Sequence, residues 1–179
     1  MAEAASTILI LEDDWTLREL LRAQLQGIPG SPPCPLSHDR PRRCPVAEVI
    51  CVPTASLEEA IEAQVEPDAC IIDLGLPDSQ GLHTLLEMMA RYPRAAIIVL
   101  SGETNGTLIR AAYRFGIQRF LSKGESTGNL RAVVAAACAA KQGELDRLEA
   151  VLEAAPEADL TALDDAIAKL RATCADTKS

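Results

Sequence analysis

Five short apolar runs recur along most of the chain, and segments with helical spacing of apolar residues separate them. A continuous apolar run of this length, bounded by turn signals, is typical of a strand buried on both faces of a sheet. Four of the runs occupy residues 7–11, 46–52, 95–100 and 118–121, and a further one ends at Asp73. Because strands and helices alternate five times, the sequence predicts an α/β fold with a doubly wound, five-stranded parallel sheet.

The segments between these runs predict helices over residues 15–26, 56–65, 81–92 and 104–115. In the second helix, Ser56 and Glu59 form a capping box at its start. The spacing places Leu20 on the apolar face of the first helix and Leu86 on that of the third. His83 lies off that face, so we expect it to face solvent without a role.

Polar residues follow four of the predicted strands. Glu12 and Asp13 follow the first, Asp73 ends the third, Ser101 follows the fourth and Lys123 follows the last. The carboxyl ends of parallel strands share one edge of a sheet, so these side chains are expected to meet there. Three carboxylates suit Mg²⁺, and a hydroxyl beside an ammonium suits a phosphoryl group. The implied chemistry is attack of the Asp73 carboxylate on phosphorus, which gives an aspartyl phosphate. The alternative is a purely structural role, in which the acids after the first strand cap the next helix.

Composition and net charge favour some classes of protein over others. The chain has 179 residues, enough for one domain plus an appendage, and its 48% hydrophobic content with 3% aromatic residues suits an aliphatic core. A net charge of −9 disfavours nucleic acid as a partner. The sequence shows neither a signal peptide nor an apolar run of membrane length, so we expect a cytoplasmic protein. Its six cysteines show no disulfide framework, which agrees with a reducing compartment.

A proline-rich segment interrupts the pattern. Six prolines fall within residues 28–45, so this segment predicts a long surface loop rather than a helix or a central strand. The spacing of its Cys34, His38 and Cys44 fits no common zinc site. A local disulfide formed on oxidation and plain loop residues both stay open for the two cysteines.

With these motifs the sequence resembles the receiver domain of response regulators in two-component signalling. The resemblance covers about residues 7–141, with the proline-rich loop as an insertion, and it implies a flavodoxin-like (βα)₅ domain over residues 1–142. It rests on Glu12-Asp13, on Asp73 with Leu76-Pro77-Asp78 and Gly81, on Ser101-Gly102, and on Phe120-Leu121-Ser122-Lys123.

By this resemblance Asp73 is the phosphoacceptor of a phosphorelay. Mg²⁺ would be held by Glu12, Asp13, Asp73 and the carbonyl of Gly75. Ser101 and Lys123 would contact the phosphoryl group.

The resemblance also implies a switch pair. The Ser101 hydroxyl would move toward the phosphate, and the ring of Phe120 would turn inward to fill the vacated space. Gly102 and Glu103 border the site.

The function implied is a phosphorylation-dependent signalling switch. A histidine kinase or a phosphotransfer protein would donate the phosphoryl group, and a downstream protein target would recognise the modified form. The chain would promote only its own phosphorylation and dephosphorylation. An alternative is a degenerate receiver that acts as a non-phosphorylated scaffold or dimerisation protein. A phosphatase-like enzyme would need an acid two residues after the nucleophile, where this chain has Gly75.

Residues 143–179 form a predicted helical extension. Helical spacing runs from Asn129 until Pro156, and a second stretch places apolar residues at 160, 163, 167, 170 and 174. The two helices would either form a hairpin or pair with a second subunit as a homodimer. From residue 144 to the end there are nine acids and four bases, so we expect no DNA binding.

Overall fold

The computed structural model describes residues 5–26, 49–102, 105–123 and 129–154 of the chain. Strands and helices alternate throughout these ranges. In chain order the elements are β1 (Ser6–Leu11), α1 (Trp15–Gln26), β2 (Val49–Thr54), α2 (Leu57–Glu62), β3 (Ala69–Asp73), α3 (Leu82–Arg91), β4 (Ala96–Ser101), α4 (Gly106–Phe115), β5 (Arg119–Ser122) and α5 (Leu130–Ala154). The proline-rich segment with its cysteines, Glu103 and the second C-terminal stretch lie outside the described residues.

All five strands form one parallel sheet with the order β2-β1-β3-β4-β5. This arrangement confirms the predicted doubly wound fold. The order reverses after β2, so the chain crosses from one side of β1 to the other, and ligand sites in such sheets lie at this switch point. The phosphoacceptor candidate Asp73 ends β3, the central strand.

Alternate side chains of the central strands enter two separate cores, which is what two helical layers require. Leu9, Leu11 and Ile72 belong to one core, and Ile8 and Ile10 belong to the other. These side chains are aliphatic and at most 1% exposed. The sheet is therefore fixed from both sides, and its strand ends are held in register.

Helix α2 ends at Glu62, three residues before the predicted end at Val65. The reason is a tertiary contact that the sequence pattern does not contain. Tyr92 donates through its hydroxyl to the carbonyls of Ala60 and Ala63, while the Arg91 Nε donates to the Ile61 carbonyl at 3.0 Å. The last carbonyls of α2 are satisfied by these side chains, so the helix stops there.

Strand β2 runs to Thr54 and so includes Pro53, beyond the predicted end at residue 52. A proline has no amide hydrogen to donate and is tolerated here because β2 is an edge strand. The Thr54 carbonyl accepts a hydrogen bond from the amide of Glu12 at 3.1 Å. The longer strand thus helps to fix the first acid of the predicted site.

Two leucines expected on apolar helix faces lie on the surface. Leu20 of α1 and Leu86 of α3 are each about half exposed. The buried residues of α3 include Thr84, whose hydroxyl donates to Ser79 at 2.8 Å. The buried face of α3 thus includes a polar side chain in place of Leu86, and this hydrogen bond satisfies its hydroxyl.

Within the described residues the cysteines at positions 51, 70 and 138 form no disulfide. Burial raises the pKa of the Cys51 thiol to about 11 and also raises that of Cys70. Both thiols therefore stay protonated at neutral pH and act as small apolar side chains.

The chain divides into two compact units, residues 1–142 and residues 143–179. The structure describes the second unit over residues 143–154, which belong to α5. None of the helices in the described ranges combines the length and the apolar content that a membrane span needs.

Candidate functional site

The sheet brings the predicted site residues to one edge. Asp73 and Ser101 are the last residues of the neighbouring strands β3 and β4, and Lys123 directly follows β5. Glu12 and Asp13 follow β1 on the other side of Asp73. One oxygen atom from each of the three carboxylates lies within 4.8 Å of the other two. Topology alone has therefore assembled an acidic cluster from residues far apart in the sequence.

Lys123 bridges two of these acids. Its Nζ atom lies 2.8 Å from Glu12 Oε1 and 2.8 Å from Asp73 Oδ2. The other oxygen of Asp73, Oδ1, accepts a hydrogen bond from the Gly75 amide at 3.1 Å. Both oxygens of Asp73 are held by donors, so the orientation of this carboxylate is fixed.

Burial of two of the three carboxylates makes their negative charge costly. Glu12 is 1% exposed and Asp73 is 4% exposed, whereas Asp13 faces solvent. Burial, with a contribution from the charge on Asp73, raises the pKa of Glu12 even though Lys123 opposes this effect. Burial alone would lower the pKa of Lys123, but its hydrogen bonds to Asp73 and Glu12 outweigh burial and raise it. Lys123 is therefore an ammonium at neutral pH.

Asp14, the third acid after β1, caps helix α1. Asp14 accepts hydrogen bonds through Oδ1 from the amides of Thr16 at 2.8 Å and Leu17 at 3.1 Å, which is the geometry of a helix N-cap. One of the three acids therefore caps α1, which is the role that the capping alternative gave to these acids. The carboxylates of Glu12 and Asp13 belong instead to the cluster around Asp73.

Replacing Asp14 with Ala should lower the free energy of unfolding by about 1 kcal/mol, because two amides of α1 lose their acceptor. Urea unfolding followed by circular dichroism measures this change. Asp14→Ser, which keeps an oxygen acceptor, should recover most of the loss. An equal loss in both variants would show that the cap does not stabilise the helix.

The donor set fits a divalent cation. Glu12 Oε2 is buried and has no hydrogen-bond partner among the described residues. A buried carboxylate oxygen without a donor is costly unless a cation satisfies it. With oxygens from Asp13 and Asp73 nearby, the arrangement offers the hard oxygen ligands that Mg²⁺ prefers. In the structure the Gly75 amide donates a hydrogen bond to Asp73. Metal binding by the Gly75 carbonyl stays a prediction.

The loop after Asp73 is held at several points. Gly75 pairs with Gln80 in an antiparallel bridge, and the Gly81 amide donates to the Leu74 carbonyl at 2.7 Å. Gly81 has a φ of 62°, a conformation that glycine adopts without strain. Asp78 accepts a hydrogen bond from the Glu58 amide at 3.2 Å, so this loop is tied to the start of α2. Nothing in the sequence around Asp78 predicts this hydrogen bond, because it depends on the tertiary position of α2.

His83 is exposed, as expected, but it is not without contacts. Its Nδ1 atom lies 3.0 Å from Ser79 Oγ, and its Nε2 atom lies 3.8 Å from Glu87. The spacing of four residues between His83 and Glu87 on α3 could have indicated the second contact, whereas Ser79 lies in the loop before the helix. The contact extends the anchoring of the loop onto α3.

Comparison with known proteins places this site in a family. Residues 46–135, half of the chain, match the family model described as the response regulator receiver domain. The chain belongs to the response regulator receiver domain family. The KDP operon transcriptional regulatory protein KdpE of Escherichia coli K12 is 31% identical over 127 residues, which cover 71% of this chain and 48% of KdpE. The chain thus spans about half the length of this curated relative.

Solved structures share the fold of this receiver domain. The signal receiver domain of an HD domain-containing protein from Pseudomonas fluorescens Pf-5 matches with a TM-score of 0.63 at 21% identity, over 82% of this chain and 96% of that chain. A response regulator from Burkholderia pseudomallei, whose crystal structure has a phosphorylated aspartic acid and a calcium ion, matches with a TM-score of 0.57 at 18% identity, over 80% of this chain and 74% of that chain.

The two residues predicted as the switch pair of the receiver domain lie on adjacent strands. Ser101 is buried at the end of β4, and its carbonyl accepts from the Lys123 amide at 3.0 Å. Phe120 of β5 is partly buried and packs against the core that contains Leu9, Leu11 and Ile72. A Cβ atom at Gly102 would meet nothing within 4 Å, so the space above this position is open. Glu103 lies outside the described residues.

Proposed function

We propose that this receiver domain is a phosphorylation-dependent signalling switch whose phosphoacceptor is Asp73. The donor would be a histidine kinase or a phosphotransfer protein, and the output would be a contact with a downstream protein. One observation carries the proposal: Asp73 ends the central strand, buried and oriented by Lys123 and by the Gly75 amide, with two further acids beside it. Such an oriented carboxylate at the switch point of a parallel sheet suits a nucleophile.

In the proposed reaction a carboxylate oxygen of Asp73 attacks the phosphorus of a phosphohistidine in line with the P–N bond. The O–P bond forms, the P–N bond breaks, and the imidazole leaves with the electron pair and takes up a proton. The Lys123 ammonium, 2.8 Å from Asp73 Oδ2, lies where negative charge on the phosphoryl oxygens must be balanced. Ser101, at the end of the next strand, supplies a hydroxyl donor.

Magnesium is the cofactor we propose for this step. Glu12, Asp13 and Asp73, with the carbonyl of Gly75, would hold it, which would also satisfy Glu12 Oε2. When bound, the ion would neutralise charge on the carboxylate and phosphoryl oxygens. The Burkholderia pseudomallei protein, whose crystal structure has both a phosphorylated aspartic acid and a calcium ion, supports this part of the proposal.

The output would be a change at the Ser101–Phe120 pair. Phosphorylation would replace the single negative charge of the Asp73 carboxylate with about −1.5 to −2 charges on a phosphoryl group at the same strand end, which can bias a loop with two arrangements. Phe120 is only partly buried, so its ring can reach a more buried position. The chain would promote no reaction beyond its own phosphorylation and dephosphorylation, since Gly75 stands where a phosphatase of the aspartyl-phosphate type needs its acid.

We also propose that the protein acts in the cytoplasm through protein partners rather than DNA. Among the described residues, the reduced thiols of Cys51 and Cys70, which are raised in pKa by burial, are compatible with a reducing compartment. The net charge of −9 supports partners other than DNA. KdpE is named as a transcriptional regulatory protein, but this chain spans only about half of it.

Incubation with acetyl phosphate and Mg²⁺, followed by intact-mass spectrometry, tests the proposed function. The wild-type protein should gain one phosphoryl group, and EDTA should prevent the gain. A protein that binds Mg²⁺ but never gains the adduct would support the scaffold alternative.

Metal binding should be visible through Trp15, the chain's single tryptophan, which is 67% exposed at the start of α1, two residues after Asp13. Titration with Mg²⁺ should change its emission to saturation. Asp13→Asn should weaken the apparent affinity by at least about tenfold, because one ligand charge is lost. Asp14→Asn is the matched control, since Asp14 caps the helix and lies outside the cluster. Equal affinities in the two variants would contradict the assignment of Asp13.

A further inference from the structure

The part of α5 beyond residue 142 exposes apolar side chains. Leu148 is 55% exposed and Val151 is 65% exposed, while Leu145 is partly buried. In the sequence, Leu145, Leu148 and Leu152 follow one another at intervals of three and four residues, which places them on one face of the helix. A helix with one apolar stripe and otherwise polar residues needs a partner for that stripe.

The chain itself offers a matching stripe. Helix α5 ends at Ala154, Pro156 follows, and the chain continues to residue 179. Within this continuation Leu160, Leu163 and Ile167 repeat the intervals of three and four residues. Each stripe therefore spans eight positions, or about 10.5 Å of helix. Two stripes of equal length and spacing can pack over their whole length.

We propose that residues 157–174 cover the apolar stripe of α5 in the same chain, as an antiparallel helical hairpin. Only residues 155 and 156 separate the end of α5 from this segment, and connections that short join antiparallel neighbours. The inference does not depend on phosphorylation of Asp73.

The charges argue against a second copy of α5 as the occupant. Residues 143–154 carry four acids and one base, so two such helices packed on each other would bring eight acids together with two bases. The segment 157–174 carries four acids and two bases, one of which, Arg171, follows Leu170 of the continued stripe. The hairpin within one chain therefore brings together a smaller net negative charge than two copies of α5 would.

Hydrogen exchange of the full chain, read by mass spectrometry, tests the hairpin. In the wild type the amides of 157–174 should exchange at least about tenfold more slowly than in an unfolded peptide. Leu148→Glu, which places a charge in the stripe, should remove this protection. Ala150→Glu is the matched control: it adds the same charge to an exposed position about 200° around the helix, and it should leave protection unchanged. The amides of the sheet should not change in either variant.

Light scattering coupled to size exclusion decides between the occupants. A monomer in the wild type and in both variants, together with the loss of protection in Leu148→Glu alone, is the expected result. A wild-type dimer that Leu148→Glu converts to a monomer would replace the hairpin with a second copy. Unprotected amides over 157–174 in the wild type, or protection that survives Leu148→Glu, would overturn the proposal.

Discussion

Asp73→Asn should abolish the phosphoryl adduct that acetyl phosphate and Mg²⁺ form on the wild-type protein. The asparagine side chain has the same shape, and it can still accept from the Gly75 amide, which lies 3.1 Å from Asp73 Oδ1. It lacks the negative charge that makes an oxygen nucleophilic and that helps to attract Mg²⁺. The loss should therefore be complete rather than partial. Intact mass measured over a time course would show it.

Asp78→Asn is the matched control for this experiment. Asp78 lies on the same loop but is exposed, and its carboxylate accepts from the Glu58 amide at the start of α2. The control removes the same charge and should keep the adduct. Similar circular dichroism spectra of both variants would exclude misfolding. An adduct that persists in Asp73→Asn would place the phosphoryl group elsewhere and contradict the proposed phosphoacceptor.

The sequence predicted the sheet and its site edge well because both follow from patterns that are local. The predicted limits of α1, at residues 15 and 26, agree with the structure, and the apolar run before Ser101 is strand β4. Once the strands are parallel, their carboxyl ends must share an edge. That rule alone placed Glu12, Asp73 and Lys123 side by side, although 111 residues separate the first from the last.

The details that the sequence did not predict depend on tertiary contacts. Helix α2 stops early because Tyr92, the residue that follows α3, donates hydrogen bonds to its last carbonyls. On α3 the buried side includes Thr84, which donates to Ser79, while Leu86 is exposed. The sequence also did not show which of the three adjacent acids caps α1, since Asp14 and its two neighbours look alike in a sequence. Only the hydrogen bonds of Asp14 show which acid is the cap.

A second large effect is expected from Lys123→Met in the absence of Mg²⁺. Lys123 lies 2.8 Å from both Glu12 and Asp73 and is 24% exposed, so its removal leaves two buried carboxylates without their cation. Removing one partner of a buried ion pair costs about 3–5 kcal/mol, and we expect the lower end because Lys123 is partly exposed. Urea unfolding in EDTA at neutral pH should therefore show a free energy of unfolding lower by about 3 kcal/mol.

The pH dependence of that loss identifies its cause. The pKa of Glu12 is raised in the folded protein, chiefly by burial, so its ionisation opposes folding. This opposition is absent below the ordinary pKa of a glutamate, about 4.3, and grows as pH rises through the raised value. Lys123 lowers the pKa of Glu12, so the difference between wild type and Lys123→Met should grow with pH over this window. Adding Glu12→Gln should remove most of that growth.

Magnesium provides an independent check on the same argument. If the stability lost in Lys123→Met comes from uncompensated negative charge, a bound divalent cation should restore much of it. Saturating Mg²⁺ should therefore stabilise Lys123→Met more than the wild type, whose carboxylates already share an ammonium. A loss that is constant from acid to neutral pH and unchanged by Mg²⁺ would mean that the methionine disturbs packing at the end of β5. The acidic cluster would then be stable without its lysine, and the ammonium would serve phosphoryl binding alone.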